Sequence, residues 1–145
     1  MVPVVRAIQK AWPDTKLTWL IGKVEHELLA SLDNVEFIIL DKKRGIRGYA
    51  DVFRQVRHRN FDLMLHMHAS LRANLVSLMI SSKTRLGFDR NRARDFQWYF
   101  CNNHIPHLPR QHVMDGFLQF AKTLNINPKD LRWDIPISKN DRDFA

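Results

Sequence analysis

Short apolar runs separated by amphipathic segments constrain this chain more than any other feature. LTWLI (Leu17–Ile21), VEFIIL (Val35–Leu40), FDLMLHMH (Phe61–His68) and TRLGF (Thr84–Phe88) are mostly apolar, with Glu36, Asp62, His66, His68 and Arg85 among their few polar residues. Strands of that kind are covered on both faces, which requires helices above and below a parallel sheet. The intervening segments supply those helices. Pro3–Ala11 is helical in pattern with Pro13 just beyond it, and Val24–Leu32 follows the first strand. Tyr49, Val52, Phe53 and Val56 recur at i, i+3, i+4 and i+7, leaving Arg54 and Arg57 on the opposite face. Ser70 is positioned to cap a helix over SLRANLVSLMI, and Met114, Phe117, Leu118 and Ala121 mark a last helix ending near Asn125 and Pro128. The expected class is α/β, a Rossmann-like parallel sheet with flanking helices. No GxGxxG and no GxxxxGK[ST] occurs, so neither dinucleotide nor P-loop binding has local support.

A chain of 145 residues, 45% hydrophobic and 26% charged, is long enough for one compact domain. Its first element is a helix with no strand before it, so the sheet is expected to lack its first strand. Residues 1–136 are expected to form this domain, incomplete at its start, and 137–145 the beginning of a linker. The single cysteine, Cys101, excludes a disulfide framework and zinc-finger spacing, and it suits a reducing compartment. With no run long enough to cross a bilayer and no signal-peptide layout, any membrane is expected to be met at its surface.

The net charge of +8 is concentrated in two patches. Residues 42–59 carry seven basic side chains against Asp51 alone, and 83–94 carry five against Asp89. The remainder sums to −2. Patches of this kind attract nucleic acid, anionic lipid, or phosphorylated and carboxylated small molecules, and charge alone does not choose among them.

In open parallel sheets ligands sit beyond the carboxyl ends of the strands. Three such ends carry unusual residues here: Asp41-Lys42-Lys43-Arg44, His66-Met67-His68-Ala69-Ser70, and GFDRNRARDF (Gly87–Phe96). The two basic clusters are therefore expected along one edge, converging on a single cleft.

Four segments carry a resemblance in their order and spacing: PVVRAIQKAWPDTKLTWLI, FDLMLHMHASLRANLVSL, KTRLGFDRNRARDF and QHVMDGFLQFAKTLNI. Together they resemble the N-terminal domain of the bacterial lipopolysaccharide heptosyltransferases, glycosyltransferase family nine. The resemblance implies the N-terminal half of a GT-B enzyme, with the acceptor held by this domain and the donor, ADP-heptose, held mainly by a C-terminal one. It implies inverting, single-displacement transfer without a metal or other cofactor. The acceptor would be Kdo-lipid A or phosphorylated lipopolysaccharide core at the cytosolic face of the inner membrane. The family's catalytic base is an aspartate in a Gly-Asp loop ahead of the first helix, and no residue of this chain matches it. The chain is therefore expected to supply acceptor-binding surface and to be inactive alone.

Arginine suits a carboxylate or phosphate because its planar fork donates two parallel hydrogen bonds. By position, Arg94 matches the family's loop arginine best, with Arg90 and Arg92 as neighbours or as ion-pair partners of Asp89 and Asp95. Lys42, Lys43 and Arg44 match its basic loop after the second visible strand, and Arg72 opens a helix after a strand end. Arg54, Arg57 and Arg59 read as a solvated helical face. His68, Ser70 and His112 are possible cleft-edge residues, although His112 can equally cap the last helix. His66 reads as a packed, hydrogen-bonded histidine. His66 and His68 have no third ligand at suitable spacing, so no metal site is expected. Trp98, Tyr99 and Phe100 read as core rather than a stacking platform, with a membrane-facing role as the other option. The competing reading is a basic nucleic-acid-binding or membrane-surface module without catalysis. Against nucleic acid, the chain has no RRM, KH, zinc-knuckle or helix-turn-helix signature.

Overall fold

The structure, a computed structural model, describes residues 1–109, 112–127 and 133. Helix α1 (Val2–Ala11) leads into strand β1 (Leu17–Gly22), helix α2 (Lys23–Leu29) and strand β2 (Val35–Leu40). A 3₁₀ turn at Lys42–Arg44 precedes α3 (Ile46–Val56), β3 (Asn60–Leu65), α4 (Leu71–Ser77) and β4 (Ser81–Gly87). A second 3₁₀ turn at Gln97–Phe100, a short β5 (Asn103–His104) and α5 (Val113–Thr123) complete the described elements. All strand pairs are parallel, and helices pack against them, as the apolar runs predict. The segment expected as a linker, 137–145, lies outside the described residues.

The strands form two sheets rather than one: β1 with β2, and β3, β4 and β5 in that order. Among the described residues, the edge of β1 away from β2 and the edge of β3 away from β4 carry no backbone partner. Side chains from α1 join the two halves instead. Val2 and Val5 pack with Ile21, Leu29 and Leu32, whereas Val4 and Ile8 pack with Leu86, Ile105, Leu118 and Phe120. A third cluster joins Ile38 and Leu40 of β2 to Val52 and Val56 of α3 and to Val76 of α4.

The α3 face differs from its expected centre. Val52 and Val56 are buried but Phe53 is exposed, because the buried stripe runs through Gly48. Arg59 is also not part of a solvated helical face. It follows the helix and bonds Glu36 and the Thr18 hydroxyl across the first sheet, with its guanidinium over Phe61. This contact lowers the Glu36 carboxyl below its ordinary range, chiefly through the Arg59 hydrogen bond.

Candidate functional site

The carboxyl ends of β3 and β4 carry the most specific chemistry. Strand β4 ends at Gly87, where a Cβ would meet the Cys101 sulfur at 2.5 Å, so close packing there excludes a side chain. Phe88 then packs on Phe117 and Phe120 of α5, and Asp89 turns the chain.

Asp89 is the hub of the arginine loop. It is 4% exposed, accepts from the backbone N–H of Asn91 at 3.1 Å, and pairs with the Arg92 guanidinium and with His107 Nδ1. Its backbone carbonyl accepts from the N–H groups of Arg92 and Ala93. Burial alone would raise this carboxyl, but the hydrogen bonds and charge of Arg92, with those of His107 and Asn91, hold it below its ordinary value. Arg92 also donates to the Pro106 carbonyl at 3.2 Å and lies against Gly116 of α5. The partner of Asp89 is thus Arg92 rather than Arg90. Alternate arginines end up in different roles: Arg92 fastens the loop to α5, while the side chains of Arg90 and Arg94 are exposed with no hydrogen bond or ion pair among the described residues.

The far side of the loop is fixed through α4. Asp95 and Phe96 have φ of 51° and 65°, a left-handed pair that aspartate adopts readily but phenylalanine favours little. That conformation lets the Asp95 carboxylate accept from Leu71 N–H at 3.0 Å and its carbonyl accept from Asn74 Nδ2 at 2.6 Å. Ser70 caps α4 from the same end, accepting from Ala73 N–H. The side chain of Arg72, in the first turn of α4, is exposed and has no hydrogen bond or ion pair among the described residues.

Beneath the loop lies a buried polar layer. Gln97 donates to the His66 carbonyl at 2.8 Å and bridges to His66 Nδ1 at 3.2 Å. Burial, and then the charge of Arg85, push the His66 imidazole down to about 4, against a smaller opposing contribution from Asn74. It is therefore neutral at ordinary pH. Arg85 reaches Ser77, Ile80 and Phe100 through backbone carbonyls, and burial pushes the nearby Cys101 thiol up to about 11, which makes it a poor nucleophile.

The remaining predicted residues are dispersed. Lys42, Lys43 and Arg44 form the exposed turn after β2, where Asp41 caps Lys43 N–H and Arg44 pairs with Asp51. Arg54 pairs with the same Asp51, and a shallow cavity of about 360 Å³ lies beside these groups. No hydrogen bond or ion pair joins this cluster to the 89–95 loop among the described residues. His68 is exposed at the end of β3, and His112 caps α5, accepting from Met114 N–H at 3.2 Å. Tyr99, expected in the core, is 79% exposed, while Trp98 stacks on His104 with ring centres 3.5 Å apart. No cluster of three metal-ligating side chains occurs among the described residues.

The side chains of Arg72, Arg90 and Arg94 are exposed beyond the carboxyl ends of β3 and β4; of the two carboxylates in the loop, Asp89 is buried and committed to structural partners, and the exposed Asp95 accepts from Leu71 N–H.

Comparison with known proteins places this geometry in context. The family model described as glycosyltransferase family 9 (heptosyltransferase) matches residues 49–145. The chain is 38% identical over 142 residues to the lipopolysaccharide core heptosyltransferase OpsX of Haemophilus influenzae, covering 98% of this chain and 41% of that protein. It superimposes on the E. coli heptosyltransferase WaaC, solved with ADP, with a TM-score of 0.78 at 18% identity, covering 92% of this chain and 46% of that one. A family 9 glycosyl transferase from Veillonella parvula gives 0.77 at 19% identity, covering 96% and 41%. The chain thus spans less than half the length of these relatives.

Proposed function

Because the chain belongs to glycosyltransferase family 9, we propose that it is the acceptor-side half of an enzyme moving heptose from ADP-heptose to the Kdo and heptose inner core of lipopolysaccharide. The observation that carries this reading is the set of exposed arginines, Arg94, Arg90 and Arg72, with no partner among the described residues at the carboxyl ends of β3 and β4. A Kdo carboxylate or a core phosphate is the ligand class that such guanidinium forks suit. Arg94 is the principal contact, with Arg90 and Arg72 beside it. Lys42 and Lys43 steer the anionic acceptor from the adjoining sheet.

The buried Asp89 supports a binding rather than a deprotonating role for this loop. A base must reach a substrate hydroxyl, and Asp89 is enclosed by Arg92, His107 and Asn91. WaaC has been solved with ADP and with a fluorinated ADP-heptose. In our reading the donor nucleotide and the base of the inverting displacement belong to parts of the enzyme outside these 145 residues. The protein works peripherally at the cytosolic face of the inner membrane, where a lipid-anchored acceptor is presented. No helix among the described residues is long and apolar enough to cross a membrane.

A transfer assay tests the division of labour. A longer polypeptide that carries this chain between a leading strand with its Gly-Asp loop and a donor-binding domain is expected to move labelled heptose from ADP-heptose to Kdo-lipid A. The 145-residue chain alone is expected to yield no product. Product from the chain alone would sink the division, and an inactive longer polypeptide that binds both substrates would sink the reaction.

A further inference from the structure

Helix α4 turns its leucines outward, although Val76 packs into the core. Leu71, Leu75 and Leu78 lie at i, i+4 and i+7 and are 51%, 52% and 63% exposed, whereas Asn74 and Ser77 on the inner face are buried. Polar locks fix this orientation. Asn74 Nδ2 donates to the Asp95 carbonyl at 2.6 Å, and Arg85 Nη2 donates to the Ser77 carbonyl and hydroxyl at 2.8 and 3.0 Å. Rolling the leucines inward would break these bonds and strand buried polar groups.

The adjoining 3₁₀ turn extends the patch. Residues at i and i+3 share a side in such a turn, and Phe96 and Tyr99, at its cap and within it, are 71% and 79% exposed. The left-handed backbone at Phe96 aims that ring outward while Gln97 goes inward. Asp95 ties the turn to the start of α4 through Leu71 N–H. Around this apolar centre stand Arg72, Arg90 and Arg94, exposed and without partners among the described residues. The carboxylate among them, Asp95, already accepts from Leu71 N–H.

We propose that α4 and the 96–99 turn form a docking surface for an anionic lipid bilayer, with the leucines and aromatic rings entering the headgroup boundary and the arginines meeting lipid phosphates. The surrounding excess of guanidinium groups selects a surface of dense negative charge, and long arginine side chains reach phosphates while their stems stay apolar. This extends the membrane location proposed above and rests on no sugar contact.

The test is flotation of the 145-residue chain with vesicles of phosphatidylcholine alone or mixed with phosphatidylglycerol, neither carrying Kdo. Binding to the mixed vesicles is expected, falling with salt, and at least roughly tenfold weaker on phosphatidylcholine alone. The exposed double substitution Leu75→Ser with Leu78→Ser should weaken binding at least roughly tenfold, since two leucines leave the apolar boundary. Far-UV circular dichroism should leave that variant's helix content unchanged. Arg72→Glu, whose side chain is outside the packed core, provides a second, independent variant and should also weaken binding. Wild-type indifference to mixed vesicles, or equal binding by the variants, overturns the proposal. A wild-type dimer that the double substitution converts to monomer, without vesicle binding by either, would show that a second copy covers the face and also overturns it. Either failure leaves the acceptor reading to its own test with a delipidated saccharide.

Discussion

Lowering the pH from 7 toward 4 is expected to cost the folded chain roughly 3 kcal/mol through one residue, His66. In the unfolded chain its imidazole takes up a proton near the ordinary 6.5, whereas burial and the Arg85 charge hold it down to about 4 in the fold. Between those values the unfolded state binds the extra proton, so stability is full above about 6.5 and falls as the pH drops toward 4. At 1.36 kcal/mol per pH unit, the interval gives the quoted roughly 3 kcal/mol. Urea titrations at stepped pH measure it directly. His66→Gln, which cannot take up a proton, should flatten that part of the profile while lowering the plateau through altered contacts with Gln97. A wild-type profile that is level from pH 7 to 4 would contradict the buried neutral histidine.

The second large effect is expected at Asp89. Replacing it by alanine removes the acceptor for Arg92, His107 and the Asn91 N–H together. Breaking a buried pair on one side costs about 3–5 kcal/mol, and the low end applies because Arg92 keeps some access to water. Hydrogen exchange should rise through residues 89–97, and Asp89→Asn, which retains an acceptor for the Asn91 N–H, should fall between the two. The carboxyl lies below its ordinary value in the fold, so its contribution is present above about pH 4 and is lost as the pH falls through the lowered value. An alanine variant within about 1 kcal/mol of wild type would remove Asp89 as the hub of the loop.

The strands were legible from their short, mostly apolar runs, although exposed polar residues such as Glu36, Asp62 and Lys83 interrupt them: β1, β2, β3 and β4 all fall within or across the runs that predicted them. The helices followed from their periods and from Ser70 as a cap. The two-residue β5 was not legible, since Asn103 and His104 pair only through the register that β4 imposes. Phe96 gave no signal of a left-handed turn, because glycine or asparagine normally marks that backbone. Consequently the outward rings of Phe96 and Tyr99 could not be separated from the core.

The loop shows the same division. GFDRNRARDF identified a strand end rich in guanidinium groups, but spacing alone could not distinguish Arg92 from its neighbours. What separates them is Asp89, whose carboxylate meets the side chain three positions on rather than the next one. His107 was invisible as a partner because it arrives from beyond β5, 18 positions downstream.

The central claim is that this domain holds the anionic acceptor through Arg94 and its neighbours. It is tested most directly by titrating the isotopically labelled chain with a delipidated, Kdo-bearing saccharide and following backbone amides by NMR. Saturable shifts are expected in residues 70–74 and 89–96, and Arg94→Ala should weaken affinity roughly 10- to 100-fold, as loss of a charge-assisted bidentate contact does. ADP-heptose should leave those amides unmoved. Absence of saturable shifts with the saccharide, or unchanged affinity in Arg94→Ala, would contradict the account.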